Sequence, residues 1–419
     1  MTSCGNSSNT SSEDKKIKAS KNTSLYKQDE FYISSIWPYE FAATSNEMRK
    51  KSIDLCKEAG VNLLEIPFDC NEEVLNHCDE IGINVIAGSK FYHGPAVGIN
   101  PLWNETLVKN EIEAIKNHKS VIGYHIWDEI APGKMEEAKR LYNLIAKYDL
   151  DRLPFSCLYP PGGDRGDWNN IINPEKSSYC KYVLDCLDTV NPAVLSFDEY
   201  PFYNAENLEF TDVDWFKSMG YYRKKAKEYH IPFWTYIRTI EGYDKDTLPL
   251  TKVQVKAQMH TALAYGAKCI SYFTTVDYLY VRDTMEKKTT FEDGREITGK
   301  ARMLGNFLFD KDNTAIYHTG LDKQKHYNKI FFLDDISKSG LIDEAPENLI
   351  ISIFEDDDNQ YMMIVNKNLK KEVNGDIILK SQKNISEFNV STGKFSGSAL
   401  IKAINYTIEA GGTALFAIE

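Results

Sequence analysis

Carboxylic acids in this chain gather where apolar runs end. Asp128-Glu129 follows Val121–Trp127, Asp198 and Glu199 sit near the end of Val194–Tyr200, and Glu241 follows Pro232–Ile237 after Arg238. Glu65 lies inside Asn62–Phe68, which Asp69 closes, and Glu40 follows Trp37-Pro38-Tyr39. Two carboxyl groups facing each other across a small gap can cleave an acetal. One protonates the leaving oxygen, and the other acts as nucleophile or base on the far side of the sugar ring. Close carboxylates also raise each other's pKa, which keeps one of them protonated near neutral pH. Neighbouring strand residues point to opposite faces, so Asp128 and Glu129 share a site only where the strand has ended or bulged. Of Asp198 and Glu199, we expect Glu199 to face the site.

Aromatic residues make up 12% of the chain, more Tyr and Trp than a core needs, and sugar faces pack on such rings. Trp37, Tyr39, Trp127, Tyr200, Trp234 and Tyr272 are the candidate subsite residues, with Asp128 beside them. The Arg238 guanidinium is placed to orient a carboxylate. His93, His125 and His260 are scattered, and the cysteines form no CxxC pair or zinc spacing, so neither a metal nor a cofactor is expected.

These residues need a scaffold that brings strand ends together. From Phe31 onward, strand-length apolar runs alternate with amphipathic helical segments, the pattern of a parallel sheet with crossover helices. The runs are Phe31–Trp37, Asn62–Phe68, Asn84–Gly88, Val121–Trp127, Pro154–Tyr159, Val194–Tyr200, Pro232–Ile237 and Cys269–Thr274. Gly60, Gly82 and Gly266 each stand where a helix needs a left-handed stop before the next strand. Eight such units fit a closed (β/α)8 TIM barrel, an α/β fold whose active site lies at the C-terminal ends of its strands. No GxGxxG follows the first strand to suggest a dinucleotide fold. The barrel is expected over residues 26–312. From 313 to 419 short alternating runs, Lys329–Leu333, Leu349–Glu355, Tyr361–Asn366, Gly375–Leu379, Ile385–Asn389 and Thr413–Ile418, read as an antiparallel β-sandwich domain with a packing role. The loops Pro160–Trp168 and Asp277–Glu296 are expected to wall the cleft.

The 419 residues suffice for this pair of domains, and the net charge of −12 argues against a nucleic-acid partner. No stretch reaches the apolar length of a membrane span. Thr2-Ser3-Cys4-Gly5 resembles the end of a bacterial lipobox, followed by a polar tether over residues 1–25. That implies an exported cell-surface or periplasmic lipoprotein anchored through Cys4, in a chain that begins near its mature terminus.

The run Gly123-Tyr124-His125-Ile126-Trp127-Asp128-Glu129 resembles the fourth strand of retaining glycosidase barrels of the family 42 β-galactosidase kind. Leu195–Phe202, Pro232–Ile237 and Ala262–Lys268 resemble the same wider group, so the likeness covers roughly residues 30 to 310. It implies a hydrolase of β-linked glycans with Glu129 as acid/base. The chain departs from the family at strand seven, where the nucleophilic glutamate's position holds Ile237 and the nearest acid is Glu241. Three arrangements stay open: Glu241 reaching back as nucleophile, Asp198 or Glu199 as partner, or Asp128 assisting an acetamido group of the substrate itself. A non-catalytic cell-surface glycan-binding barrel is the alternative reading. A lyase or aldolase on the same barrel would need a strand-end lysine, for which Lys90 is the candidate.

Overall fold

The computed structural model describes residues 24–40, 43–68, 70–88, 104–161, 177–210, 213–242, 247–320 and 332–419. Cys4, most of the tether, Asp69, Lys90, His93, most of Pro160–Trp168 and most of Lys329–Leu333 lie outside the described residues. Strands and helices alternate as β1 (Tyr32–Ile36), α1 (Asn46–Glu58), β2 (Leu63–Ile66), α2 (Glu72–Ile81), β3 (Asn84–Ala87), α3 (Glu105–Ile115), β4 (Val121–Trp127) and α4 (Met135–Tyr148). The second half runs β5 (Leu153–Ser156), α5 (Ser178–Asp185), β6 (Leu195–Phe197), α6 (Val213–Tyr229), β7 (Phe233–Arg238), α7 (Lys252–Ala264), β8 (Cys269–Phe273) and α8 (Phe291–Leu308).

The strands order as β5-β4-β3-β2-β1-β8-β7-β6, all parallel, and β1 closes on β8 from Tyr32 opposite Cys269 to Ser35 opposite Tyr272. Between β5 and β6 the described closure is one bridge, Leu158 to Phe197, with Leu158 N–H donating to Ser196 O at 2.9 Å. This is a TIM barrel, so strand ends converge at one mouth. Helix starts follow local chemistry. Ser45, Asn71, Asn104, Ser177 and Thr251 each accept a first-turn N–H as N-caps, and Thr251 with Gln254 forms a capping box. Gly82 ends α2 at φ 69°, where its N–H still reaches Cys78 O, a conformation that costs a side-chain-bearing residue more than glycine.

Beyond α8 the chain forms one antiparallel sheet from β9 (Asp312–His318), β10 (Ile342–Glu344), β11 (Leu349–Glu355), β12 (Gln360–Asn366), β13 (Val373–Asn389), β14 (Lys394–Ile408) and β15 (Thr413–Ile418). Its order is β10-β13-β15-β12-β11-β9, with β14 along β13. Alternation sends Ile350, Phe354, Met363 and Leu415 towards the barrel, while Leu349, Ile351, Ile353, Met362 and Phe416 build the sheet's own core. The two runs expected at Gly375–Leu379 and Ile385–Asn389 are parts of one long strand, whose pairing with β14 shifts register twice. β14 escaped the sequence reading because most of its residues are exposed or half-exposed, and apolar alternation appears only at its end, in Ile404, Tyr406 and Ile408.

Helix α7 lies between barrel and sheet and is buried from Gln254 to Ala264. Part of the helix is tied to the sheet domain by polar contacts. His260 Nδ1 meets Gly411 O at 2.9 Å, Lys256 pairs with Glu409 at 2.8 Å, and Ser352 Oγ donates to Ala264 O at 2.5 Å.

Candidate active site

The barrel interior is stacked in tiers. At the N-terminal floor, Tyr32, Leu63, Ile86, Leu153, Phe155, Trp234 and Cys269 pack together. Above them Glu65 is wholly buried, accepting hydrogen bonds from Ser34 at 2.8 Å, from Ser271 at 2.9 Å and from the Tyr236 hydroxyl. Burial raises the Glu65 pKa, and those three donors offset the rise only in part. The top tier is a cleft of about 90 Å³ lined by Ile36, Trp37, Asp128, Glu129, Cys157, Asp198, Tyr200, Tyr236 and Phe273.

Three carboxyl groups meet there from two strand ends. Asp128 and Glu129 both reach the cleft because β4 ends at Trp127 and Glu129 takes a left-handed backbone, φ 53°, which turns the chain out of strand geometry. Such a conformation costs a non-glycine residue of order 1 kcal/mol and persists where surrounding structure holds it. Asp198 follows β6. Burial first, then the charges of Glu129 and Asp128, holds its carboxyl well above the usual carboxylate range. The Cys157 Sγ lies 3.9 Å from Asp198 Oδ1, and burial with the charges of Asp198, Asp128 and Glu129 keeps that thiol protonated. His125 points into the barrel against Phe155, and burial lowers its pKa to about 3, so it is neutral.

Aromatic rings form the wall. Trp37 meets Phe273 edge-on at 5.5 Å, Tyr200 stacks on Phe273 at 5.4 Å, and the Arg238 guanidinium lies 5.7 Å from the Tyr200 ring and 5.0 Å from that of Tyr203. Arg238 also donates to Ile240 O at 2.8 Å and to Glu241 O. It therefore braces Tyr200 and the loop after β7 rather than gripping a carboxylate.

The chain shares this architecture with known barrels. A family 5 glycoside hydrolase from Bacteroides vulgatus superposes with a TM-score of 0.53 at 13% identity, over 93% of this chain and 89% of that one. A second glycoside hydrolase superposes at 0.56 and 12% identity, over 94% and 95%. The fold is that of glycoside hydrolase barrels. No family model matches the sequence, and no curated protein matches it.

Within this fold several expected residues take other posts. Glu199, expected at the centre, does not line the cleft; it is 2% exposed and its charge bears on Tyr179 of α5. Glu241 accepts the Ala205 N–H, stapling two loops, and does not reach the carboxylates. Ile237 joins the core between strands and helices, so β7 sends Tyr236, not an acid, into the cleft. Trp234 lies at the opposite end of the barrel, since it is the second residue of β7. It is buried against Phe155 and donates to Gln28 at 2.9 Å. Tyr272 faces the helices, its hydroxyl 2.7 Å from Thr298 Oγ1. Trp127 and Tyr39 are buried in the same layer, Trp127 displaced by a register shift between β4 and β5 and Tyr39 with Arg49 over its ring. The segment after Asp277 packs back on α1 through Tyr280, 2.8 Å from Ser52, and contributes nothing to the cleft lining.

Cys157, Tyr236 and Phe273 were not singled out from the sequence. Strand parity pointed to two of them: Tyr236 is two residues beyond inward-facing Trp234, and Phe273 two beyond Ser271.

Proposed function

We propose that the protein is a glycoside hydrolase acting on a β-linked glycan, with Glu129 as general acid/base and Asp198 as its partner carboxylate. The observation that carries this reading is the convergence of Asp128, Glu129 and Asp198 on one aromatic-walled cleft at the C-terminal mouth of the barrel. Glycoside hydrolases of the same fold support it.

Three acids so close titrate as a unit. At rest Asp198, whose carboxyl is held well above the usual range by burial and by the charges of Glu129 and Asp128, carries the shared proton. Passing it to Glu129, which is half-exposed in the cleft, arms Glu129 to protonate the leaving oxygen. Asp198 is left as the anion beside the developing positive charge of the sugar. Asp128 adds a second negative group, and Tyr200, Trp37 and Phe273 hold the ring. Tyr236, fixed from below by Glu65, sets the depth of the cleft. The β-linkage and the lipid anchor through Cys4 belong to this proposal as sequence-based expectations.

The test is reducing-sugar release from a panel of oligo- and polysaccharides by the wild-type protein beside Glu129→Gln. Release abolished by the substitution supports the hydrolase. Binding by both forms with release by neither assigns a glycan-binding barrel instead.

A further inference from the structure

A cleft far larger than the carboxylate site lies elsewhere on the barrel. It opens at the N-terminal end of the barrel, with a volume of about 640 Å³, between the segment Tyr26–Gln28, the end of α6, the start of β7 and the turns before β8 and β9. In a chain of net charge −12 its lining is the reverse: Lys27, Arg223, Lys227, Lys268 and Lys311 surround it with His230, against the single acid Asp312.

Two of these cations are already committed. Arg223 donates to Asn313 and lies 3.8 Å from Asp334, and Lys311 pairs with Asp310 at 2.9 Å. The others form no ion pair among the described residues. Lys227 donates to Asn313 O at 2.7 Å, and Lys268 to Leu308 O at 2.9 Å and Phe309 O at 2.7 Å, all neutral carbonyls. Among the described residues no carboxylate lies within ion-pair distance of Lys27, Lys227 or Lys268. Those carbonyl bonds fix Lys227 and Lys268 in place, so an arriving anion meets charges whose side-chain entropy is already lost. Burial pushes the Lys268 ammonium down to about 8, a shift that the charges of Asp310 and Asp312 offset only in part. Beside them Tyr26, Phe309 and Pro232, each half-buried, add apolar lining.

We propose that this cleft is a second saccharide site, taking an anionic sugar residue, either a uronate or a sulfated sugar, at the end of the barrel remote from the carboxylates. Its anion half stands on the charge distribution alone; its sugar half rests on the glycoside hydrolase reading. A polymer held here would be retained near the enzyme without entering the catalytic cleft, an avidity effect rather than a catalytic one.

The experiment is calorimetric titration of the full chain carrying Glu129→Gln, so that nothing is hydrolysed, with trigalacturonate, a sulfated disaccharide, neutral cellobiose and inorganic phosphate. The expected result is binding of one or both acidic sugars, weakening with added salt, with cellobiose much weaker. Adding Lys27→Gln with Lys227→Gln, both exposed positions, should weaken binding at least roughly tenfold; Lys268→Gln is a separate variant because Lys268 also ties down the end of α8. No binding of either acidic sugar, or binding that the lysine pair does not alter, overturns the proposal. Phosphate binding without sugar binding overturns the saccharide assignment. Because this titration is independent of turnover, failure of the hydrolase reading shows in the release assay and failure of this site shows here.

Discussion

Asp198 and Glu199 are adjacent in the chain and serve different compartments: Asp198 lines the cleft with Glu129, while Glu199 is buried towards Tyr179 of α5. The two acids should therefore separate on substitution. Asp198→Asn is expected to lower kcat at least about a hundredfold, the scale of losing a positioned proton-transfer group. Glu199→Gln should change kcat by less than about tenfold and show mainly in thermal stability. Equal loss of kcat in both variants would sink the assignment of Asp198.

The raised Asp198 pKa sets the sign of a pH effect. With its folded pKa above the unfolded value, the folded state binds the extra proton, so Asp198 opposes folding increasingly as pH rises from the ordinary carboxylate range through its folded pKa. Asp198→Asn removes that burden. Its melting temperature should exceed the wild type's at neutral pH and approach it at about pH 4. A melting curve series across pH checks this, and a variant less stable at pH 7 would refute it.

Activity should also fall as pH rises, once the proton shared by Asp198, Glu129 and Asp128 is lost. The alkaline limb of kcat/KM against pH is expected to move in Asp128→Asn towards lower pH, because removing one negative neighbour lowers the pKa of the remaining pair. An unmoved limb would show that Asp128 is not electrostatically part of the site.

Arg238 offers a test of bracing against chemistry. Arg238→Ala frees the carbonyls of Ile240 and Glu241 and removes the cation beside Tyr200. The expected result is a several-fold rise in KM with a smaller change in kcat, whereas Glu241→Gln should leave both within about threefold. A Glu241→Gln enzyme as dead as Glu129→Gln would restore Glu241 as a nucleophile.

The joint between barrel and sheet has its own probe. The Tyr265 hydroxyl lies 3.0 Å from His318 Nε2 with both residues buried. Tyr265→Phe leaves His318 without that partner and should cost about 1–3 kcal/mol of stability. Urea unfolding measures it, and no change in midpoint would mean the hydrogen bond contributes nothing net.

The barrel was legible because its strands are short and apolar and several of the helices between them carry their own start and stop signals, as Asn71 and Gly82 show for α2. The acids at the ends of β4 and β6 were legible for the same reason. Which member of each pair faces the cleft was not, because that depends on where the strand stops pleating. At β4 the left-handed turn at Glu129 brings both in, and at β6 only Asp198 lines the cleft. Trp234 was misplaced on depth rather than direction: it points inward, but one tier below Tyr236. The cationic cleft was invisible in the sequence because its four lysines come from four separate segments that only the closed barrel brings together.

The seam between β5 and β6 gives the barrel one compliant wall. Every other described neighbour pair shares a ladder, whereas Leu158 and Phe197 hold this joint through one bridge, directly before Asp198. Breathing along that seam moves a cleft carboxylate relative to Glu129 with little loss of backbone pairing. Amide exchange should be fastest there among the strands, and the span between the two acids becomes a property tuned by elasticity rather than by side-chain choice alone.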